Sequence, residues 1–231
     1  MSFTTSVWDM AAFVWINQTA RHEVLDVIMP LLSQQVWLWL LLAAMVTMIL
    51  VRAGARRLLP LLCILLAVGV ADLSTSMIKD AFGRVRPLNA VAETHHLDDG
   101  RWNQHPATFL QTKERGSSFP SAHAANSMVV AMLLMAYRRE LRPWMLLLPL
   151  LVGYSRVYLG KHYPSDVLAG WLLGLALAMA FLPLGIRLRA WALRNPARPL
   201  RLFPARAVHT VSGPITLSRL PTRSSARTQN A

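Results

Sequence analysis

Apolar residues in this chain fall into long, nearly unbroken runs rather than the alternating or one-faced patterns of soluble folds. Four runs, roughly Gln35–Val51, Leu58–Ile78, Ser121–Tyr137 and Pro143–Leu159, are each long enough to cross a bilayer, which takes ~17–25 residues per helix. A fifth, Asp166–Ile186, is the most lipid-soluble of all. The pattern predicts an all-α, polytopic transmembrane helix bundle of five to six spans, with residues 35–187 as its core. Residues 1–34 read differently, mixing Trp8, Phe13, Trp15, Ile16, Leu25 and Met29 with Asp9, Asn17, Arg21, Glu23 and Asp26. That mixture predicts N-terminal amphipathic helices at the membrane interface, and five spans plus a surface helix or a short sixth span both fit. The segment has no basic start followed by an apolar core and cleavage site, so no removable signal peptide is expected.

Composition supports the membrane reading. Mean hydropathy is +0.37 and only 15% of residues are charged, against roughly a quarter in soluble domains. The formal net charge is nevertheless +13, but nine arginines lie in the last 45 residues, where no acidic residue occurs. Basicity therefore belongs mostly to residues 188–231, a Pro-, Arg-, Ser- and Thr-rich stretch expected to be a disordered cytoplasmic tail attracted to anionic lipid. A nucleic-acid partner loses its support, because the tail interleaves no aromatic beyond Phe203. The lone Cys63 excludes an intramolecular disulfide.

Arginines also set orientation. Arg52, Arg56 and Arg57 follow the first run, Arg138, Arg139 and Arg142 the third, and Arg187 and Arg189 the fifth. Alternate ends are thus basic, as cytoplasmic ends should be. The N-terminal segment, the loop of about residues 80–120 and the Gly160–Ser165 turn then lie on the outer face.

Ionisable residues at those outer ends are functional candidates, because a membrane helix tolerates them poorly. The second run ends in Lys79 and, seven positions on, Arg86-Pro87, cations suited to a phosphate or, alternatively, snorkelling to headgroups. The third opens with Pro120-Ser121-Ala122-His123, where small residues and the free N–H groups of a first helical turn suit an anion and a histidine can move a proton. A helix cap with a solvent-facing histidine is the plainer reading of that stretch alone. The fourth ends in Ser155-Arg156 and continues to His162 and Asp166, a spacing at which a carboxylate can orient an imidazole. Together they place three cations, a helix N-terminus, two histidines and a carboxylate on one side of the membrane, as a phosphoryl-transfer site without a metal would need. His95, His96, Asp98, Asp99 and His105 suggest a metal cluster, but neighbouring loop residues rarely converge on one ion, and the loop reads better as a lid or headgroup-selecting segment.

In order and spacing these motifs resemble the type 2 phosphatidic acid phosphatase superfamily: Lys79…Arg86-Pro87, Pro120-Ser121-Ala122-His123, and Ser155-Arg156…His162…Asp166. The resemblance runs from about Met77 to Gly170, with Ala122 standing where the family pattern has glycine. It implies metal-independent, cofactor-free hydrolysis of a lipid phosphate in two steps. His162 would attack phosphorus and form a phosphohistidine, with Asp166 holding its ring, while His123 protonates the leaving oxygen and then helps activate water. Lys79, Arg86, Ser121, Ala122 and Arg156 would hold the phosphate. The implied partners are the bilayer and a phosphorylated membrane lipid, with undecaprenyl diphosphate first and phosphatidic acid, phosphatidylglycerol phosphate or a lipid A phosphate close behind. The implied location is a bacterial inner membrane with the site facing the periplasm. No oligomeric state is specified. A lipid phosphotransferase and a catalytically silent phospholipid-binding or transport protein remain the alternatives.

Overall fold

The computed structural model describes residues 4–138, 140 and 142–195. The tail expected over residues 188–231 lies outside them from residue 196 onward. Helices form where the apolar runs lie: α1 (Val7–Val14), continued by a π-helical turn to Thr19, α2 (Glu23–Ser33), α3 (Gln35–Ala53), α4 (Leu59–Phe82), α5 (Ala122–Tyr137), α6 (Arg142–Met145), α7 (Leu147–Tyr158) and α8 (Pro164–Arg194). Among the described residues two helical stretches, Ala55–Asn89 and Pro164–Arg194, are long and apolar enough to cross a membrane, and only 33% and 22% of their most apolar windows is buried inside the protein. Their apolar faces therefore point outward. At ~1.5 Å per residue α4 and α8 rise roughly 36 and 46 Å, enough for a hydrocarbon layer of about 30 Å.

The core is a three-helix packing of α4, α5 and α8. Ile64, Ala67 and Ala71 of α4 meet Ala125, Val129, Leu133 and Tyr137 of α5 and Ala178 of α8. Gly170 and Gly174, one turn apart, let α8 lie directly on α5: a Cβ at Gly170 would stand 2.4 Å from the Ser121 carbonyl, and one at Gly174 2.3 Å from that of Ala125. This contact brings the N-terminus of α5 against that of α8, where the Ser121 N–H donates to the Asp166 carbonyl at 2.9 Å. α4 and α8 run antiparallel, and their far ends meet where Arg56 donates to the Asn195 carbonyl at 3.3 Å and lies over the Trp191 ring.

Four expectations are corrected or refined. The fourth run is two helices, since Pro149 lacks the N–H that would bond the Met145 carbonyl and the chain breaks at Leu146. Helix α8 continues past Ile186 to Arg194, so the first residues assigned to the tail are helical. The all-α expectation missed a hairpin in the outer loop, β1 (His95–Asp98) and β2 (Arg101–Gln104), antiparallel with Asp98 opposite Arg101. Asp99 and Gly100, both at positive φ, make its two-residue turn. The N-terminal helices do form, but several of their polar residues turn inward. Asn17, fully buried, donates to the carbonyls of His95 (2.9 Å) and Tyr158 (2.7 Å) and accepts from the His95 N–H, stitching hairpin and α7 together.

The close α5–α8 contact yields a contrast. Gly170→Ala forces a methyl group into backbone and should cost roughly 1–3 kcal/mol. Gly69→Ala in α4, where a Cβ meets nothing within 4 Å, should be neutral or slightly stabilising. Thermal unfolding of the two detergent-solubilised variants checks this; equal midpoints would contradict the packing.

Candidate active site

Each motif is delivered by a defined local structure. Helix α4 ends at Gly83 in the left-handed conformation (φ 61°), whose N–H closes on the Lys79 carbonyl at 2.9 Å. Lys79 thus sits in the last turn and Arg84-Val85-Arg86 leave the helix. Residues 116–118 lie alongside, with the Gly116 N–H donating to the Gly83 carbonyl and the Ser118 N–H to that of Arg84, both at 2.9 Å. Ser121 is the extended residue that opens α5, placing Ala122 and His123 in the first turn, where backbone N–H groups have no partner within the helix. Pro164 starts α8, and Asp166 accepts from the Tyr163 N–H at 2.8 Å across that first turn.

Asp166 is fully buried and is the hub of the site. Its Oδ1 receives Arg84 Nη1 at 2.5 Å, and its Oδ2 receives the Ser118 hydroxyl at 2.6 Å as well as the Tyr163 N–H. His162, 2% exposed, turns Nδ1 to the Ser118 carbonyl at 2.8 Å, while Asp166 Oδ2 stands 3.6 Å from that nitrogen, too far for a hydrogen bond. A carbonyl only accepts, so Nδ1 carries the proton and Nε2 presents its lone pair. The tautomer expected from Asp166 is therefore set by the Ser118 backbone, with the carboxylate acting on the ring through its charge. Burial, outweighing the pull of Asp166, lowers the His162 pKa to about 4, with Arg156 and Arg86 adding to the shift. The ring is therefore neutral at physiological pH.

The other expected residues gather around this pair. Lys79 and Arg86 stand within electrostatic range of Asp166, and Arg156 and Arg86 of His162; His123 in turn feels Arg156, His162, Lys161 and Lys79. Arg156, 5% exposed, donates one Nη to the Ser33 hydroxyl of α2, and Arg86 reaches Ser117 at 3.3 Å. Among the expected phosphate-binding residues, the buried donors Arg86 Nε, Arg156 Nε and Ser121 Oγ nevertheless have no protein partner. Beside Lys79 lies a cavity of about 330 Å³ bordered by Asp80, Gly83, Arg115 and Gly116. In the outer loop, the His96 ring stacks on His105 and His105 on Phe109, with centroids 4.4 and 3.8 Å apart, and His105 Nε2 meets the Leu88 carbonyl at 2.8 Å. Among the described residues no three His, Cys, Asp or Glu side chains converge as metal ligands.

Sequence reasoning missed four participants. Ser118, just ahead of α5, contacts both His162 and Asp166. Lys161, half-buried, has its pKa lowered by burial and then by Arg156 and Arg86, which places it among the site cations. Arg84, between the two cations of the first motif, is 2% exposed and bridges Asp166 to Asp9 of α1. The one available signal for this pairing was Asp9 itself, a carboxylate in an otherwise apolar turn.

The chain is 33% identical over 117 residues to a lipid A 4'-phosphatase from Bacteroides thetaiotaomicron, covering 48% of this chain and 47% of that protein. It is 36% identical over 102 residues to an undecaprenyl-diphosphatase from Sulfolobus acidocaldarius, covering 42% and 41%. The chain thus spans less than half the length of these curated relatives. Its fold is similar to the crystal structure of Aquifex aeolicus LpxE, with a TM-score of 0.61 at 24% identity over 79% of this chain and 99% of that one. It is also similar to a transmembrane PAP2 type phosphatidylglycerolphosphate phosphatase from Bacillus subtilis, with a TM-score of 0.52 at 24% identity over 79% and 88%. Residues 60–189, more than half of the chain and including every motif above, match the PAP2 superfamily, and the chain belongs to that family.

Proposed function

We propose that the chain is a membrane-embedded lipid phosphatase that cleaves a phosphate or diphosphate ester through a phosphohistidine. The observation that carries this reading is the set of unspent donors, Arg86 Nε, Arg156 Nε and Ser121 Oγ, gathered with Lys79 and the α5 N-terminus around a neutral His162. Buried donors without partners are costly, and an anion with several acceptor oxygens satisfies them together.

In the first step the Nε2 lone pair of His162 forms a bond to phosphorus, the bridging P–O bond breaks, and its electron pair leaves with the lipid oxygen. His123, which takes up a proton together with the anionic phosphate, passes that proton to the oxygen. The ring, still carrying its Nδ1 proton, becomes cationic and is stabilised by the Ser118 carbonyl and the Asp166 charge. Water then attacks phosphorus, the N–P bond breaks, and His123 takes the water proton. Lys79, Arg86, Arg156, Ser121 and the Ala122 backbone hold the equatorial oxygens, where transition-state charge collects. These protein cations supply the charge that a divalent metal supplies in other phosphatases.

The substrate is a lipid phosphate, with undecaprenyl diphosphate the leading candidate. Relatives named for undecaprenyl diphosphate and for lipid A support the class and leave the choice to assay. Five spans (α3, α4, α5, α6 with α7, and α8), the N-terminal helices beside them, and a bacterial inner-membrane location with the site facing the periplasm complete the reading. It is supported by the arginines at the opposite ends of α4 and α8.

Three outcomes are expected. Phosphate release from a panel of lipid phosphates in detergent should fall at least ~10³-fold in His162→Ala. His123→Ala should lose about 10²–10⁴-fold. EDTA should leave the wild-type rate unchanged; full activity in His162→Ala, or a chelation loss that Mg²⁺ restores, would contradict the scheme. The pH dependence of stability carries a definite sign. The unfolded chain takes up a proton at the ordinary histidine pKa of 6.5, while folded His162 resists protonation down to about 4. Wild-type stability should therefore fall as pH drops through that window, by up to about 1.4 kcal/mol per pH unit from this group, and His162→Gln should lose that part of the slope. Thermal midpoints of both proteins between pH 7.5 and 4.5 test it; parallel curves would mean the ring is not buried neutral.

A further inference from the structure

We propose that Asp9, in the N-terminal helix and outside the stretch that matches the family, is a positioning residue for the reaction, acting through Arg84 on Asp166. The inference rests on the reading of His162 as the nucleophile. Asp9 Oδ2 accepts from Arg84 Nη2 at 2.6 Å and from the Ser165 hydroxyl at 2.6 Å, and its Oδ1 accepts from the Ser165 N–H at 2.8 Å. Arg84 in turn gives Nη1 to Asp166 at 2.5 Å and to Ser165 at 2.6 Å, gives Nη2 to Thr5 at 3.1 Å, and lies over the Tyr163 ring 4.0 Å from its centroid. All three charged side chains are at most 2% exposed.

Charge decides what this cluster can do. Two carboxylates share one guanidinium, so the buried unit carries a net charge of −1. A helix-to-helix clamp alone would be cheaper as a neutral pair, because a surplus buried charge is disfavoured unless a counter-charge appears. Lys79 and Arg86 offset part of it from within electrostatic range of Asp166, and His162 adds a counter-charge during the reaction: its Nδ1 lies 3.6 Å from Asp166 Oδ2, and the ring becomes cationic when Nε2 bonds to phosphorus. Asp9 draws half of the guanidinium away from Asp166, which keeps the Asp166 charge directed at His162. It also holds Ser165, and with it the first turn of α8, in place. None of the groups assigned to the phosphate oxygens touches Asp9, so its effect should fall on the chemical step and leave binding unchanged.

Asp9→Asn is nearly isosteric; it removes the charge and turns one of the two acceptor oxygens into a donor. In the full-length protein, with a lipid phosphate as substrate and inorganic phosphate as competitive inhibitor, kcat should drop about 10- to 100-fold. KM and the inhibition constant for phosphate should stay within about threefold, since the groups binding phosphate are unchanged. Asp9→Glu, which restores the charge on a longer arm, should recover part of kcat. The inference is overturned if Asp9→Asn keeps kcat within twofold, or if kcat and phosphate binding fall together. Should Asp9→Asn fail to fold, Asp9→Glu decides by the same split: a kcat loss with binding unmoved supports the role, while no loss or a joint loss overturns it. His162→Ala is measured alongside. If it is inert while Asp9→Asn is fully active, only this inference fails; if His162→Ala is active, the reading beneath it fails.

Discussion

A single carboxylate, buried where two apolar helices begin, organises this protein. Asp166 has no access to water and must be solvated by the chain itself. Its partners come from separate parts of the sequence: Arg84 beyond the end of α4, Ser118 before α5, and the Tyr163 N–H at the start of α8. Satisfying one charge therefore pulls the three motif segments to one point. The same arrangement leaves part of the carboxylate's field directed at His162, whose other contact, the Ser118 carbonyl, fixes which nitrogen is free. Architecture and reactivity here share the same few hydrogen bonds.

The cations divide by what they touch. Arg84 spends both its Nη groups on carboxylates and hydroxyls and lies over an aromatic face, and it holds the structure. Arg86 and Arg156 keep buried donors unspent, and Lys79 and Lys161 stand near them within electrostatic range. Such mutually repelling charges stay together only because the α5–α8 contact and the Asp166 network hold their backbones. A phosphate, with several acceptor oxygens and at least one negative charge, relieves both the repulsion and the unmet hydrogen bonds.

Much of this was legible in the sequence, for physical reasons. Long apolar runs announced α3, α4, α5 and α8, and charges at their ends are rare enough in membrane helices to single out Lys79, Arg86, Arg156, His162 and Asp166. The hairpin was missed although Asp99-Gly100 is a strong turn signal, because its strands are only four residues long and rich in polar side chains. The break at Leu146 follows from Pro149, a local rule hidden inside an apolar stretch. Arg84 could not be told from Arg86 by spacing alone, since the difference lies in partners far along the chain. Asp9, Asn17 and Asp26 looked like the wet face of an interfacial helix. The first two are buried contacts, and Asp26 binds the Tyr158 hydroxyl at 2.6 Å. A polar residue on an amphipathic helix carries no mark of whether water or another segment will satisfy it.

The central claim is that His162 takes the phosphoryl group. The most direct measurement is rapid acid-free quenching of a turnover with a lipid labelled on its terminal phosphate, followed by peptide mapping of the labelled protein. A base-stable, acid-labile label on the peptide containing His162, absent from His162→Ala, is the predicted result. Turnover with no protein-bound label at any time point, or a label on another residue, would contradict the account.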